Sequence, residues 1–169
     1  MQRPKQEEIV AYFHNYISLV QDGNIMDILK NNHFETQQFI KTIPLEKANY
    51  RYAEDKWTVK EVLLHLVDTE RIMAYRALRF ARNDKTDLQG FEQDDYVPTS
   101  DAGNRTLENI AAEFDNLRSS TLSMIQYFTP EMIDRNGTMN GNIASVKALI
   151  YVIAGHEIHH MNILKARYF

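Results

Sequence analysis

The 169-residue sequence contains no cysteine, only four prolines and six glycines, and no apolar run near the ~18 residues that a membrane span needs. Without cysteine, the chain can form neither disulfides nor thiolate metal ligands, and it has no cysteine nucleophile. Any thiol chemistry would need a thiol that arrives with a substrate or cofactor. The N-terminal segment, residues 1–8, lacks the apolar core of a signal peptide. We therefore expect a cytoplasmic protein that does not enter membranes.

The sequence also lacks a strong charge of either sign. It has 19 lysines and arginines against 23 acidic residues, a net charge of −4, and its basic residues are scattered. Proteins that bind nucleic acid or anionic lipid carry a basic patch, so we expect no nucleic-acid partner. The hydrophobic content of 44% and the length are ordinary for a folded protein, and they predict a single domain over residues 1–169.

Apolar residues recur every three or four positions along most of the chain, which is the spacing of amphipathic helices. We predict helices over residues 7–21, 24–40, 58–83, 106–128 and 145–167. The first two are either one interrupted helix or a helical hairpin. Asn140-Gly141 permits a hairpin turn, but no alternating pattern flanks it, so no strand is predicted. The predicted fold is an all-α four-helix bundle.

Residues 84–105 form one long predicted crossover loop of roughly twenty residues, and loops of this length tend to be functional or mobile. Its centre, residues 90–96, is acidic and carries two aromatic residues. Two interpretations remain open. The loop is a solvated lid or dimer contact that forms salt bridges to Arg76, Arg79 and Arg82, or it is a flap over a substrate site.

Two histidines of the last helix, His156 and His160, lie four residues apart on one face, within its apolar stripe. A single inward histidine is more often a hydrogen-bonded core residue, but a divalent metal would satisfy two buried imidazoles together. Catalytic zinc sites use three protein ligands. The candidate for the third ligand is His65, the other mid-helix histidine near an apolar face, although it also fits a half-hydrated boundary position.

The remaining polar residues near these histidines have weaker assignments. His159 is turned about 60° outward from His156, so it is a neighbour of the site or a surface residue. Asp68 follows His65 by one turn and either orients its ring or is an ordinary exposed acid. Glu157 completes an H-E-x-x-H metalloprotease pattern, in which it would be the general base. None of the nine residues after His160 is His, Asp or Glu, so the protease interpretation is disfavoured. Glu157 and Asp68 are therefore the only catalytic candidates, and the catalytic residues stay unassigned.

Three blocks of sequence resemble the DinB/YfiT-like superfamily: KWTVKEVLLHLVDTER with YRALR (residues 56–79), GFEQDDYV (90–97), and SVKAL followed by AGHEIHH (145–160). The resemblance extends over about residues 35–169. It implies a four-helix bundle with a divalent metal, zinc or nickel, held by three histidines at the positions of His65, His156 and His160. It also implies a homodimer. Gln89 departs from the family pattern, which has Leu-Pro-Gly where this chain has Leu-Gln-Gly.

The resemblance implies a metal-dependent enzyme that acts on a small molecule, either as a hydrolase or as an S-transferase using a low-molecular-weight thiol such as bacillithiol or mycothiol. The thiol-dependent enzyme is the favoured hypothesis, because a metal can bind a thiolate and the chain has no competing cysteine. Two alternatives stay open: a non-enzymatic, stress-induced metal-binding bundle that acts through a protein partner, and a plain bundle with structural histidines.

Overall fold

A computed structural model describes residues 1–169 as seven α-helices and one β-hairpin. The helices are α1 (His14–Leu19), α2 (Ile25–Thr42), α3 (Val59–Ala81), α4 (Gln93–Thr99), α5 (Leu107–Ile125), α6 (Pro130–Asp134) and α7 (Val146–Ile163). The strands are β1 (Asn136–Met139) and β2 (Asn142–Ser145). The long helices α2, α3, α5 and α7 form a bundle, which confirms the predicted fold class. No helix has the length and apolar character that a membrane crossing requires.

Side-chain caps fix the first residue of each long helix. Asn24, Thr58, Thr106 and Ser145 each accept a hydrogen bond from a backbone N–H of the first turn. At α3 the cap is a full capping box, since Glu61 accepts in return from the backbone N–H of Thr58. These caps satisfy donors that a helix start leaves unpaired. The predicted starts of all four long helices are confirmed.

The helix α7 is the centre of the bundle. Every residue from Ala148 to Glu157 is buried, because α1, α2 and α3 pack around this helix. A helix that is apolar on all sides is expected in such a central position. Beyond Ile163 the chain continues as a wider π-helical turn, Leu164–Tyr168, where we predicted α-helix. The hydroxyl of Tyr168 donates to the carbonyl of Trp57, which anchors this turn beside the start of α3.

The predicted N-terminal helix over residues 7–21 is wrong. Two 3-10 turns, Gln6–Glu8 and Ala11–Phe13, precede the short helix α1, and the chain between them is extended at Ile9 and Val10. Ile9 inserts into the core in this extended conformation, so its burial competes with continuation of a helix. The sequence left open whether the first two predicted helices form one interrupted helix or a helical hairpin. The structure contains two separate helices, α1 and α2.

No strand was predicted from the sequence, but the structure contains a two-stranded hairpin. Strands β1 and β2 pair antiparallel around Asn140 and Gly141, which both have positive φ, as a tight primed turn requires. A Cβ built on Gly137 of β1 would lie 2.1 Å from the ring of Phe80 on α3. The hairpin is therefore stabilised by close packing on the bundle. Because Gly137 and Phe80 are distant in sequence, their contact produces no alternation of apolar and polar residues that would indicate a strand.

The segment 84–105 is not a structureless loop. It contains α4 and a 3-10 turn, Ala102–Asn104. Its first part is bound to the hairpin, because Leu88 donates its backbone N–H to the carbonyl of Thr138 and accepts from the N–H of Asn140. The segment is thus attached to the body of the protein at its start.

The three arginines expected to pair with this segment have different partners. Arg79 forms an ion pair with Asp84. Arg76 donates to the backbone carbonyl of Gln89 at 2.7 Å, and neither Arg76 nor Arg82 pairs with a carboxylate. The predicted set of three salt bridges is therefore reduced to one.

Gly155 lies where α1 crosses α7, and a Cβ at this position would be 2.0 Å from the carbonyl oxygen of Tyr16. Because backbone atoms cannot move aside as a flexible side chain would, we expect Gly155→Ala to lower the free energy of unfolding by about 1–3 kcal/mol. Gly103→Ala is the matched control, since nothing lies within 4 Å of its added Cβ. Urea unfolding measures both, and equal stabilities would contradict this account of the crossing.

Candidate metal centre

The rings of His65, His156 and His160 meet between α3 and α7. The Nε2 atoms of His65 and His156 lie 3.0 Å apart, and one ligand nitrogen from each of the three rings falls within 4.8 Å of the others. Histidines four residues apart on α7 supply two of these rings from one face of the helix. The structure therefore brings together the three histidines that the sequence singled out.

Aromatic side chains line two sides of this cluster. The indole of Trp57 lies 4.8 Å from the ring of His65 and stacks nearly parallel to that of His160. The ring of Tyr16, from α1, meets His156 edge-on at 5.3 Å. The three histidines are between 4% and 9% exposed. The cluster is consequently shielded from bulk water on most sides.

Burial keeps these imidazoles neutral. It lowers the pKa of His65 to about 4 and that of His160 to about 3, with smaller contributions from neighbouring histidines. The pKa of His156 is lowered well below its ordinary value, first by burial and then by His160 and His65. Neutral imidazole is the form that binds metals, so the three nitrogens have the required protonation state at neutral pH.

The donor set fits a divalent transition metal. At the usual zinc–nitrogen bond length of about 2.0–2.1 Å, tetrahedral ligands are separated by roughly 3.3 Å. The spacing of the three nitrogens, 3.0 Å for one pair and within 4.8 Å for all, brackets that value. Three protein ligands also leave a coordination position free for a substrate. Imidazole suits zinc and nickel alike, so the donors do not select between them.

An ion-pair network lies beside the cluster. The guanidinium of Arg118 on α5, 1% exposed, donates to both carboxylate oxygens of Glu70, to Oε2 of Glu157 and to the carbonyl of Leu29. The hydroxyl of Thr36 donates to Oε1 of Glu157. Through this network α5 is bonded to α2, α3 and α7. Two carboxylates face one guanidinium next to His156, and burial raises the pKa of Glu157.

Glu157 is therefore not available as a general base. Each of its carboxylate oxygens accepts a hydrogen bond within the network, and the side chain is 2% exposed. The metalloprotease interpretation of the H-E-x-x-H pattern needs this carboxylate free to contact a water. The structure instead gives Glu157 a structural role, because its contacts to Thr36 and Arg118 join α7 to α2 and α5.

Asp68 does not contact the cluster either. Its carboxylate lies 3.7 Å from the guanidinium of Arg71, and the polar atom beside Nδ1 of His65 is the hydroxyl oxygen of Thr69, at 3.5 Å. Thr69 lies one turn after His65 on α3. His159 lies outside the cluster, with its ring 5.1 Å from that of Tyr16.

A pocket of about 410 Å³ opens onto His156. Its walls come from the N-terminal segment, from α3, from the hairpin and from the first half of the segment 84–105; they include Tyr16, Thr69, Arg76 and Phe91. This placement agrees with the substrate-site interpretation of that segment. A second groove, between α2 and α5, is not lined by any histidine of the cluster.

One of these residues, Arg118, carried a signal that sequence reasoning overlooked. Arg118 follows Phe114 by four residues and precedes Ile125 by seven, which places it on the apolar stripe of its helix. A charged residue on such a stripe requires a buried partner of opposite charge. Tyr16 carried no comparable signal, because its proximity to His156 depends on the crossing of α1 and α7.

The fold and the cluster together define a class: four-helix-bundle proteins with three converging histidines, one of which lines a pocket. A model of the DinB superfamily matches residues 29–164, and the chain belongs to this superfamily. The predicted family is confirmed.

Three relatives carry descriptions that bear on function. A protein of Oceanobacillus iheyensis, named provisionally as a metal-dependent hydrolase, is 25% identical over 123 residues, covering 71% of this chain and 69% of that protein. The structure of YfiT from Bacillus subtilis, described provisionally as a metal-dependent hydrolase with an unusual four-helix bundle topology, has a TM-score of 0.76 at 14% identity, covering 83% and 82%. The mycothiol-dependent maleylpyruvate isomerase has a TM-score of 0.67 at 6% identity, covering 81% of this chain and 58% of that one.

A second structure from Bacillus subtilis, the DinB-like protein YjoA, is 16% identical with a TM-score of 0.64, covering 86% of this chain and 90% of that one. Identities this low show that the fold is shared. They do not transfer a reaction to this chain.

The depressed histidine pKa values make the stability of the metal-free protein depend on pH. The ordinary pKa of histidine is 6.5, and burial lowers the pKa of folded His65 to about 4. Between these two pH values, His65 is protonated in the unfolded chain and neutral in the folded protein. The stability is therefore fully present above pH 6.5 and declines as the pH falls, by on the order of 3 kcal/mol for His65 alone. Urea unfolding across this range measures the decline. His65→Asn should reduce the decline in the free energy of unfolding as the pH falls. An identical pH dependence in the wild type and the variant would contradict the expectation.

Removal of Arg118 should destabilise the protein strongly, because it leaves the carboxylates of Glu70 and Glu157 buried without a counter-charge. We expect Arg118→Met to lower the free energy of unfolding by about 3–5 kcal/mol. Arg71→Met is the matched control: its guanidinium pairs with Glu113 and Asp68, but its side chain is 52% exposed. That change should cost less than about 1 kcal/mol. Similar losses in both variants, measured by urea unfolding, would refute a special role for the buried network.

Proposed function

We propose that this protein is a metal-dependent enzyme that uses a low-molecular-weight thiol to modify an electrophilic small molecule, with the metal held by His65, His156 and His160. The observation that carries this proposal is the convergence of three buried, neutral imidazoles, one of which, His156, lines a pocket of about 410 Å³. The metal-dependent hydrolases named among the relatives support a metal at this position.

Bound to the three histidines, a divalent ion such as zinc or nickel would act as a Lewis acid that activates a thiol or a water. The residues of the chain do the rest. Trp57 and Tyr16 shield the imidazoles from water. Burial raises the pKa of Tyr16, so its hydroxyl stays protonated and can donate to a ligand in the pocket.

The state of Glu157 favours thiol transfer over hydrolysis. Hydrolysis at a zinc site of the H-E-x-x-H type uses the glutamate as general base, and here both oxygens of that carboxylate are engaged. A thiol needs no such base, because coordination to a metal is enough to deprotonate it. In the transfer the sulfur bonds to the electrophilic carbon, the leaving group departs with its bonding electrons, and the thiol proton is released. The mycothiol-dependent isomerase among the structural relatives shows that the fold accommodates a thiol-dependent enzyme.

Metal content of the tag-free protein, measured by mass spectrometry, tests the site. We expect about one equivalent in the wild type and loss of the metal in His65→Ala, His156→Ala and His160→Ala. His159→Ala is the matched control, since its ring contacts His160 but lies outside the cluster. Retention of metal in any of the three variants, or its loss in the control, would overturn the ligand assignment.

The reaction is tested with the metal-loaded protein, a low-molecular-weight thiol and an aromatic electrophile, beside an activated ester for hydrolysis. Thiol-dependent turnover in the wild type and none in His160→Ala is the expected result. Ester hydrolysis without a thiol would favour the hydrolase. A metal-loaded protein inactive in both assays would favour the non-enzymatic, partner-dependent role. Homodimerisation stays a prediction, which analytical ultracentrifugation would check.

A further inference from the structure

The side chain of Arg76 on α3 is a buried cation without an anionic partner. It is 5% exposed, and no carboxylate lies within ion-pairing distance of its guanidinium. Its partners are the carbonyl of Gln89 at 2.7 Å, the thioether of Met73 at 3.8 Å and the face of Phe91, whose ring centre is 5.8 Å away. These contacts use two of the five N–H donors of the guanidinium.

Such an arrangement is unfavourable unless another group supplies the missing charge. Arginine stays charged at neutral pH, and a buried charge without a counter-charge is destabilising. Burial lowers the pKa of Arg76, which reflects this penalty. The contrast with Arg118 is informative, because Arg118, which is buried still more deeply, is bonded to two carboxylates. The acidic residues that line the pocket, Glu92 and Asp94, are exposed, and neither forms an ion pair with Arg76.

Arg76 lines the same pocket as His156 and is the only lysine or arginine that does so. His65 and Arg76 are eleven residues apart on α3, a rise of about 16 Å between their Cα atoms. The guanidinium and the histidine cluster therefore lie toward different ends of the pocket. Apolar and aromatic groups, Met73 and Phe91 among them, line the wall between the two ends.

We propose that Arg76 binds a carboxylate of the small-molecule ligand, so that the protein acts on elongated, largely apolar acids whose reactive end lies at the histidines. A carboxylate matches the planar fork of one guanidinium. It is preferred over a phosphate because no second lysine or arginine lines the pocket beside Arg76 to match a second negative charge. The carbonyl of Gln89 on the segment 84–105 also contacts Arg76, so ligand binding acts on the segment that covers the pocket. The inference rests on the proposed function, in that it assigns this pocket to the substrate.

The test is calorimetric titration of the zinc-loaded and the metal-free protein with ω-phenylalkanoates of increasing chain length, each beside its neutral amide. We expect at least one acid to bind about tenfold or more tightly than its amide in the wild type. Arg76→Met, which keeps the apolar stem, should bind the acid no better than the amide. Arg76→Lys keeps the charge without the fork and should retain part of the preference.

Arg82→Met is the matched control, because Arg82 is an exposed arginine just beyond α3 that does not line the pocket. Its preference for the acid should equal that of the wild type. Far-UV circular dichroism verifies that Arg76→Met is folded, and Arg76→Lys provides the comparison if it is not. No preference for any acid in the wild type, or an unchanged preference in both Arg76 variants, would overturn the proposal.

The two proposals fail in distinguishable ways. A protein that binds zinc through the three histidines but shows no preference for acids would refute the role of Arg76 alone. A protein that prefers acids through Arg76, with or without added zinc, but holds no metal would refute the metal-dependent enzyme and leave a carboxylate-binding pocket.

Discussion

The guanidinium of Arg118 is bonded to groups on three other helices of the bundle, and the position of the histidines depends on this network. Its carboxylate partners are Glu70, five residues beyond His65 on α3, and Glu157, adjacent to His156 on α7. Because one guanidinium contacts both carboxylates, it fixes α3 and α7 relative to each other at the level where the two imidazoles meet.

The pocket is formed by parts of the chain that are distant in sequence. The N-terminal segment reaches His156 because Gly155 lets the backbone of α1 approach α7 closely. The hairpin packs on α3 and binds the start of the segment 84–105, whose Gln89 contacts Arg76. A buried cluster of neutral imidazoles at one end and a buried unpaired cation at the other give the pocket two chemically distinct ends. The proposed function places the reaction at the histidine end, and the proposed ligand site places a carboxylate at the arginine end.

The candidate metal ligands could be found from the sequence because the relevant spacing is local. His156 and His160 lie one helical turn apart, so their shared face follows from helix geometry alone. His65 was identified by its place near an apolar face and by the resemblance of the surrounding block to a family. The roles of Glu157 and Asp68 stayed open in the sequence. Asp68 lies one turn before Arg71, a pairing that helix spacing permits, whereas Glu157 contacts Arg118 on another helix, which spacing within one helix does not indicate.

The sequence by itself determined the all-α bundle, the starts of its long helices and the three histidines. Each of these depends on residues within one or two helical turns, where periodicity and capping act. Only the tertiary structure decided the extended Ile9, the hairpin over Phe80, the capture of Glu157 by Arg118 and the isolation of Arg76. These features result from contacts between segments far apart in the chain, and the free energy of such contacts overrides local preference.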